Sequence, residues 1–210
     1  MIWNKHLSLE GKHAFLSPSK YHWLKDTDDD LVARICNSYA ADVGTLLHKE
    51  ASNYIQFRYR MTKHEKRSIA VHLLSNGIPP VVLDNLDLDN ICSNIVTYVN
   101  DAVGFRMSPE VILYFSEACF GTADAISYDE KNRQLRIHDL KTGVTPAKME
   151  QLYIYTALFF LEYSYIKIAD TQIELRIYQN NDIVVDNPTV DDILPIMENI
   201  RRCNNIVSQI

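Results

Sequence analysis

The stretch Gly121–Tyr155, GTADAISYDEKNRQLRIHDLKTGVTPAKMEQLYIY, decides the fold class of this chain. Its first part belongs to a run, Val111–Tyr128, rich in β-branched and aromatic residues, and Gln134–Lys141 alternates apolar with polar side chains. Both patterns suit the half-buried surface of a pleated strand. Asp129–Arg133 between them is polar, so the two runs read as a β-hairpin closed by a five-residue loop. Thr145-Pro146 then has the form of an N-cap followed by proline at the first helical position, and predicts a long helix ending near Tyr163.

Downstream, Ile173, Leu175 and Ile177 alternate with polar residues as a further strand, Ile183–Val185 offers it a partner, and Val190–Val207 reads as a closing helix. Upstream, the spacing is helical. Ser17-Pro18-Ser19 starts a helix carrying Tyr21, Trp23 and Leu24, and the run Asp26–Asp30 interrupts it as a solvated turn. A helical pattern runs from Leu31 to about Arg67, and the breaker Asn76-Gly77-Ile78-Pro79-Pro80 ends that region. Another helix is expected from about Asp89 to Val103, with Ile91, Ile95, Tyr98 and Val99 on one face. Helices first, then strands interleaved with helices, make an α/β or α+β protein. At 210 residues the expectation is one domain over 1–210, mainly helical over 1–108 and built on sheet and helix over 109–210.

Composition narrows the function. Twenty-one Lys and Arg against 27 Asp and Glu leave a net charge of −6, which excludes a protein that coats nucleic acid through bulk positive charge. The charge is unevenly placed. Arg58–Arg67 holds Arg58, Arg60, Lys63, Lys66 and Arg67 against Glu65, a local +4 that leaves −10 on the rest. Such a stretch reads either as a solvated helix face or as a track for a DNA backbone. Cys36, Cys92, Cys119 and Cys203 lie too far apart for the close spacing of a zinc or iron–sulfur site, and are expected to be ordinary buried thiols. The N-terminus lacks the apolar core of a secretory signal. The most apolar stretch, Tyr153–Ile168, is interrupted by Glu162 and too short to span a bilayer, so it reads as a buried helix in a cytoplasmic protein without membrane partners.

The chemistry concentrates on the second strand of the hairpin. Strand parity puts Leu135, Ile137, Asp139 and Lys141 on one face and Arg136, His138 and Leu140 on the other, so Asp139 and Lys141 project together and His138 is structural. If the hairpin pairs across its loop, Asp124 lies within reach of Asp139. Two adjacent carboxylates repel, and a hard divalent cation relieves that repulsion; the Leu140 carbonyl is a further oxygen ligand. An ammonium two residues from such a carboxylate can orient an attacking water and stabilise charge on a phosphoryl group. Gln151 and Tyr155 form an i,i+4 pair on the following helix, placed to position substrate or to order Lys141. Alone, Asp139 and Lys141 would read as an ordinary ion pair, Lys148 as a solvated or phosphate-facing lysine, and Tyr21 and Trp23 as core residues or base-stacking platforms.

Asp124, the Asp139-Leu140-Lys141 triplet and Gln151…Tyr155 resemble the PD-(D/E)XK nuclease superfamily, and hDLKTG followed by QxxxY is similar to its RecB-like exonuclease branch, which includes CRISPR-associated adaptation nucleases and phage recombination exonucleases. Gly44-Thr45-Leu46-Leu47-His48 resembles that branch's GxxxH element, and Leu16-Ser17-Pro18-Ser19 its "SPS" helix start. The elements follow family order from residue 17 to residue 155. The resemblance implies a restriction-endonuclease-like core, a central mixed β-sheet flanked by helices with an N-terminal helical elaboration forming one wall of a DNA channel. It implies a metal-dependent deoxyribonuclease, an exonuclease of recombination, repair or phage DNA processing, working in a bacterial or phage-infected cytoplasm. His48, Asp124, Asp139 and the Leu140 carbonyl would bind Mg²⁺ or Mn²⁺; Asp124, Asp139 and Lys141 would be catalytic, with Glu117 as an additional acid; Gln151 and Tyr155 would bind substrate. Iron–sulfur members use a late cluster of three cysteines, whereas Cys203 is the only cysteine after Cys119, so no iron–sulfur cluster is expected. DNA is the implied partner, with room for a recombination or replication protein and for an oligomer. The alternatives are a noncatalytic DNA-binding or inhibitory protein that retains the fold, and a structural protein whose acids serve solubility.

Overall fold

The computed structural model describes residues 4–143 and 145–209. Local capping chemistry sets where its first long helix, α1 (Asp28–Gln56), begins. Thr27 Oγ1 accepts from the Asp30 amide, and the Asp30 carboxylate accepts from the Thr27 amide, a reciprocal capping box. The acidic run expected as a solvated turn is therefore mostly the first turn of α1. Asp28, Asp29 and Asp30 sit there, where negative charge complements the helix dipole. Asp26, just outside, takes both ends of the Arg34 fork at 2.7 and 2.8 Å. Ahead of it, Ser17 and Pro18 do open a helical segment, a kinked 3₁₀ turn over Pro18–Lys25.

The helical pattern to Arg67 is two helices. α1 stops at Gln56, and Arg58 adopts a left-handed conformation with φ 59°. Its guanidinium donates to the Met107 carbonyl at 2.7 Å, and Asn100 clamps both the amide and the carbonyl of buried Met61 at 2.9 Å. These long-range bonds satisfy a turn that periodicity alone reads as helix. α2 (Lys66–Ser75) follows and ends where Gly77, with φ 90°, lets the Ile78 amide return to the Leu73 carbonyl. A short α3 (Pro80–Asp84) leads into α4 (Leu88–Gly104), whose buried face includes Ile91, Ile95, Tyr98 and Val99 as expected.

Five strands form one mixed sheet in the order β1-β2-β3-β4-β5. β1 (Ser108–Ser116), β2 (Cys119–Asp129) and β3 (Gln134–Leu140) are successive antiparallel neighbours, β4 (Gln172–Gln179) lies parallel to β3, and β5 (Asp182–Asp186) lies antiparallel to β4. The run Val111–Tyr128 is thus two strands. Its turn at Glu117-Ala118 carries no Gly, Pro or Asn to announce it; the Ala118 amide closes onto Ser116 Oγ instead. The β2–β3 hairpin forms as read, one residue tighter, because Asp129 itself pairs with Gln134.

α5 (Glu150–Glu162) crosses from β3 to β4 and starts later than Thr145-Pro146 suggests. Gln179 is the reason. Its side chain donates to the Gly143 and Thr145 carbonyls and accepts from the Ala147 amide, satisfying that backbone outside a helix. α6 (Val190–Val207) closes the chain.

The sheet separates two cores. α1–α4 pack on one face, around Leu47, Ile55, Ile95 and Val99 with Ala125, Leu140 and Tyr178 from the strands. α5 and α6 cover the other, around Leu152, Phe160 and Ile193 with Leu113, Ile137 and Leu175. Each large side chain so buried contributes about 1.5–3 kcal/mol. Of the cysteines only Cys92 is buried; Cys36 and Cys119 are half-buried and Cys203 is exposed, against the expectation of four buried thiols. No helix among the described residues is long and apolar enough to cross a membrane.

Candidate metal centre

The site grows out of one row of the sheet. Pro109, Ala125 and His138 stand opposite one another across β1, β2 and β3. One step further toward the carboxyl end of β3, the same register brings Glu110, Asp124 and Asp139 side by side. The β2–β3 ladder has ended there, and the β1–β2 ladder skips that row although its register continues beyond it at Val111 and Ala123. Glu110 sits at φ 51°, a strained left-handed conformation for a non-glycine residue. The chain turns over at this point: Ala123 is buried in the α5–α6 core and Ala125 in the α1–α4 core, although a flat strand would place both on one face. Opening the ladder frees the carboxylates of Glu110 and Asp124 from the pleat and directs them toward α1.

α1 supplies the nitrogen ligand. His48 follows the buried Leu47 at the rim of the packed face, and its Nδ1 lies 3.3 Å from Asp124 Oδ2. His48, Glu110 and Asp124 each offer a ligand atom within 4.8 Å of the others, a group that could hold a metal ion, at the mouth of a cavity of about 570 Å³. Gly44, one turn earlier, lies beside the segment after β3: a Cβ there would sit 3.4 Å from Thr142 Oγ1, an ordinary contact.

Asp139 and Lys141 complete the second half. Asp139 is 3% exposed, and Lys141 Nζ lies 3.0 Å from its Oδ1 and 2.9 Å from its Oδ2. The ammonium is aligned to hydrogen-bond Oδ1, so Oδ2 keeps the ionic contact but has no hydrogen-bond partner. Lys141 also donates to Gln151 Oε1 at 2.9 Å, and Gln151 Nε2 to the Tyr155 hydroxyl at 3.1 Å. Gly121 makes room for that tyrosine, since a Cβ there would fall 2.9 Å from Tyr155 Cε1. A chain of contacts thus runs Asp139–Lys141–Gln151–Tyr155, tying β3 to α5.

Electrostatics follow from the crowding. Burial, then the charge of Asp124, raises the Asp139 carboxyl to about 6 against the opposing pull of Lys141 and His48. Burial and Asp124 also raise Glu110. Burial alone would lower His48, but the hydrogen bond and charge of Asp124, with Asp139 and Glu110 beyond, raise it above its ordinary value. Three carboxylates near one imidazole and one ammonium leave the site short of positive charge; Asp139 adjoins the His48–Glu110–Asp124 group without belonging to it, and both its oxygens lie within 3.0 Å of Lys141 Nζ. Such a donor set fits a divalent cation taking oxygen and imidazole ligands.

Of the residues singled out in the sequence, His48, Asp124, Asp139, Lys141, Gln151 and Tyr155 come together, and Leu140 joins them by donating its amide to Asp124 Oδ2 at 2.9 Å. Glu117 does not. It lies in the β1–β2 turn, bonded by the Tyr114 hydroxyl at 3.2 Å, seven residues and about 20 Å of extended strand from Glu110. Glu110 takes the place given to Glu117. Only the position of the β1–β2 turn could have revealed it, by setting residue 110 opposite residue 124. The basic stretch is not one continuous helix face: Arg58 and Arg60 lie in the turn after α1, where Arg58 is spent on the Met107 carbonyl, while Lys66 and Arg67 open α2, where Lys66 pairs with Asp89 at 2.7 Å. A larger cavity of about 730 Å³, by Tyr128, Arg133 and Tyr163, is lined by none of these groups. Compared with models of known protein families and with curated proteins, the chain matches none of them.

Proposed function

We propose that the protein is a metal-dependent deoxyribonuclease of the PD-(D/E)XK, RecB-like kind, hydrolysing DNA phosphodiester bonds, as an exonuclease, in recombination, repair or phage DNA processing. The observation that carries the proposal is the juxtaposition of His48, Glu110 and Asp124 with the Asp139–Lys141 pair at the carboxyl end of β3. His48, Glu110, Asp124 and Asp139, with the Leu140 carbonyl, would hold Mg²⁺ or Mn²⁺. A divalent cation in that place supplies a water of lowered pKa and offsets phosphoryl charge.

The chain's own groups do the rest. Lys141, fixed between Asp139 and Gln151, keeps its ammonium beside the carboxylates, where it can hold a nucleophilic water by hydrogen bond and stabilise negative charge on phosphorus. Gln151 and Tyr155 hold Lys141 in that position and present the Gln151 amide and the tyrosine hydroxyl to the DNA backbone. Because imidazole suits Mn²⁺ better than Mg²⁺, activity with Mn²⁺ should at least equal that with Mg²⁺.

The test is to incubate end-labelled linear and circular, single- and double-stranded DNA with each metal, using wild type and Lys141→Ala. Wild type should degrade at least the linear DNA, and the variant should be slower by at least about a hundredfold while still unfolding in one cooperative transition. Every substrate left equally intact by both proteins would sink the proposal.

A further inference from the structure

The segment ahead of α1 is the part of the chain that the packing uses least. Between residues 4 and 25 no side chain is buried, and Leu7, Leu9, Tyr21 and Leu24 are each more than half exposed. It is also charged against the rest of the molecule. Lys5, Lys12, Lys20 and Lys25 oppose Glu10 alone, a net of +3, in a chain whose total is −6.

This arm closes a cavity of about 460 Å³ against the first half of α1, lined by His13, Phe15, Lys20, Trp23, Arg34 and Ser38. The volume suits one small ligand or one residue of a polymer. Trp23 is held in place by its indole N–H on the Ser17 carbonyl at 3.1 Å, and Arg34 is committed to Asp26. Lys20 and the His13 ring have no side-chain hydrogen-bond or ion-pair partner among the described residues. Two aromatic rings beside an uncommitted ammonium and an imidazole suit a planar base carrying a phosphate.

α1 connects this cavity to the metal centre. Arg34, Ser38, Thr45, His48 and Ser52 recur at spacings of four, seven, three and four, so they share one side of the helix, and ten residues separate Ser38 from His48. At about 1.5 Å per residue that is about 15 Å, the length of about four to five nucleotides at the rise of a duplex strand.

We propose that the arm cavity is a docking site for single-stranded DNA: a base stacks on Phe15 and Trp23, its phosphate meets Lys20 and His13, and the strand continues along α1 to His48. The proposal rests on the nuclease reading for its direction toward the metal centre. Charge and rings together decide the occupant: a polyanion that carries a ring at every residue complements a cationic, aromatic arm on an otherwise acidic protein.

Binding is measured by fluorescence anisotropy in EDTA, so that no cleavage intervenes, with a labelled oligothymidylate of about 16 nucleotides and a duplex of the same length. Wild type should prefer the single strand by about tenfold. Trp23→Ala should weaken single-strand binding by about tenfold. Lys20→Gln, at an exposed residue whose loss cannot unfold the protein, should reduce the slope of log affinity against log salt by about 0.7. No binding by wild type, equal affinity for duplex, or unchanged affinity and slope in both variants overturns the docking site. If single-strand binding and its loss in the variants are found but no DNA is cut with Mg²⁺ or Mn²⁺, the nuclease reading fails and the dock stands; cleavage by a protein whose arm variants bind like wild type sinks the dock alone.

Discussion

At the scale of single residues, the site turns on which glutamate joins His48 and Asp124. Glu110 and Glu117 are both exposed acids of β1 and its turn, and only the strained backbone of Glu110 delivers its carboxylate to the cluster. Calorimetric titration with Mn²⁺ separates them: Glu110→Gln should weaken binding by at least about tenfold, as loss of an anionic ligand does, and Glu117→Gln should leave it unchanged. Equal affinities in the two variants would remove Glu110 from the site. Strand parity had already placed Asp139 and Lys141 together and His138 apart, because alternation is local and depends on the next residue alone. Glu110 escaped that logic because its importance depends on a partner 14 positions away.

Among the elements, the join between β3 and α5 carries the most consequence. Lys141 leaves the sheet at one end of it, and Gln151 and Tyr155 enter from the other. Thr145-Pro146 has good helix-starting chemistry, yet Gln179 of β4 takes the local carbonyls and an amide and keeps them out of the helix before α5. Gln179→Leu would remove three hydrogen bonds from this segment, where Gly143 and Thr145 are exposed and Ala147 half-buried, at a net cost of about 1 kcal/mol or less each because water can replace them. Amide exchange at residues 145–149 should then rise while the β-sheet core remains protected, and DNA cleavage should fall because Gln151 no longer holds Lys141. Unchanged exchange in that segment would refute the role given to Gln179. The acidic start of α1 shows the converse case, in which Thr27 and Asp30 outweigh the turn-like look of the Asp run because the cap needs only residues three apart.

For the whole molecule, the α1–α4 layer is pinned to the sheet by a charged cluster at the α4–β4 contact. Arg176 and the Tyr178 hydroxyl bond Asp101 of α4 at 2.9 and 2.8 Å, Glu174 takes Arg136 at 3.1 Å, and both guanidinium groups stack on Phe105. His138, 4.0 Å away, together with Arg176 and Arg136 holds the Glu174 carboxyl down at about 2. A carboxyl depressed on folding stabilises the protein above its unfolded value near 4.5, and that contribution fades as pH falls toward 2. Glu174→Gln should therefore be less stable by about 1 kcal/mol at pH 7 in urea unfolding, with the gap narrowing below pH 4.5. A gap that widens in acid would contradict it. The sequence by itself determined what neighbouring residues decide: the alternating strands, the α4 face, the closing helix over Val190–Val207, and the company of Asp139 with Lys141. Tertiary structure alone decided the split of the first helical region at Arg58, the late start of α5, and the entry of Glu110 into the metal cluster. Each of these rests on a hydrogen bond or a strand register between residues far apart in the chain, and such contacts leave no periodicity to read.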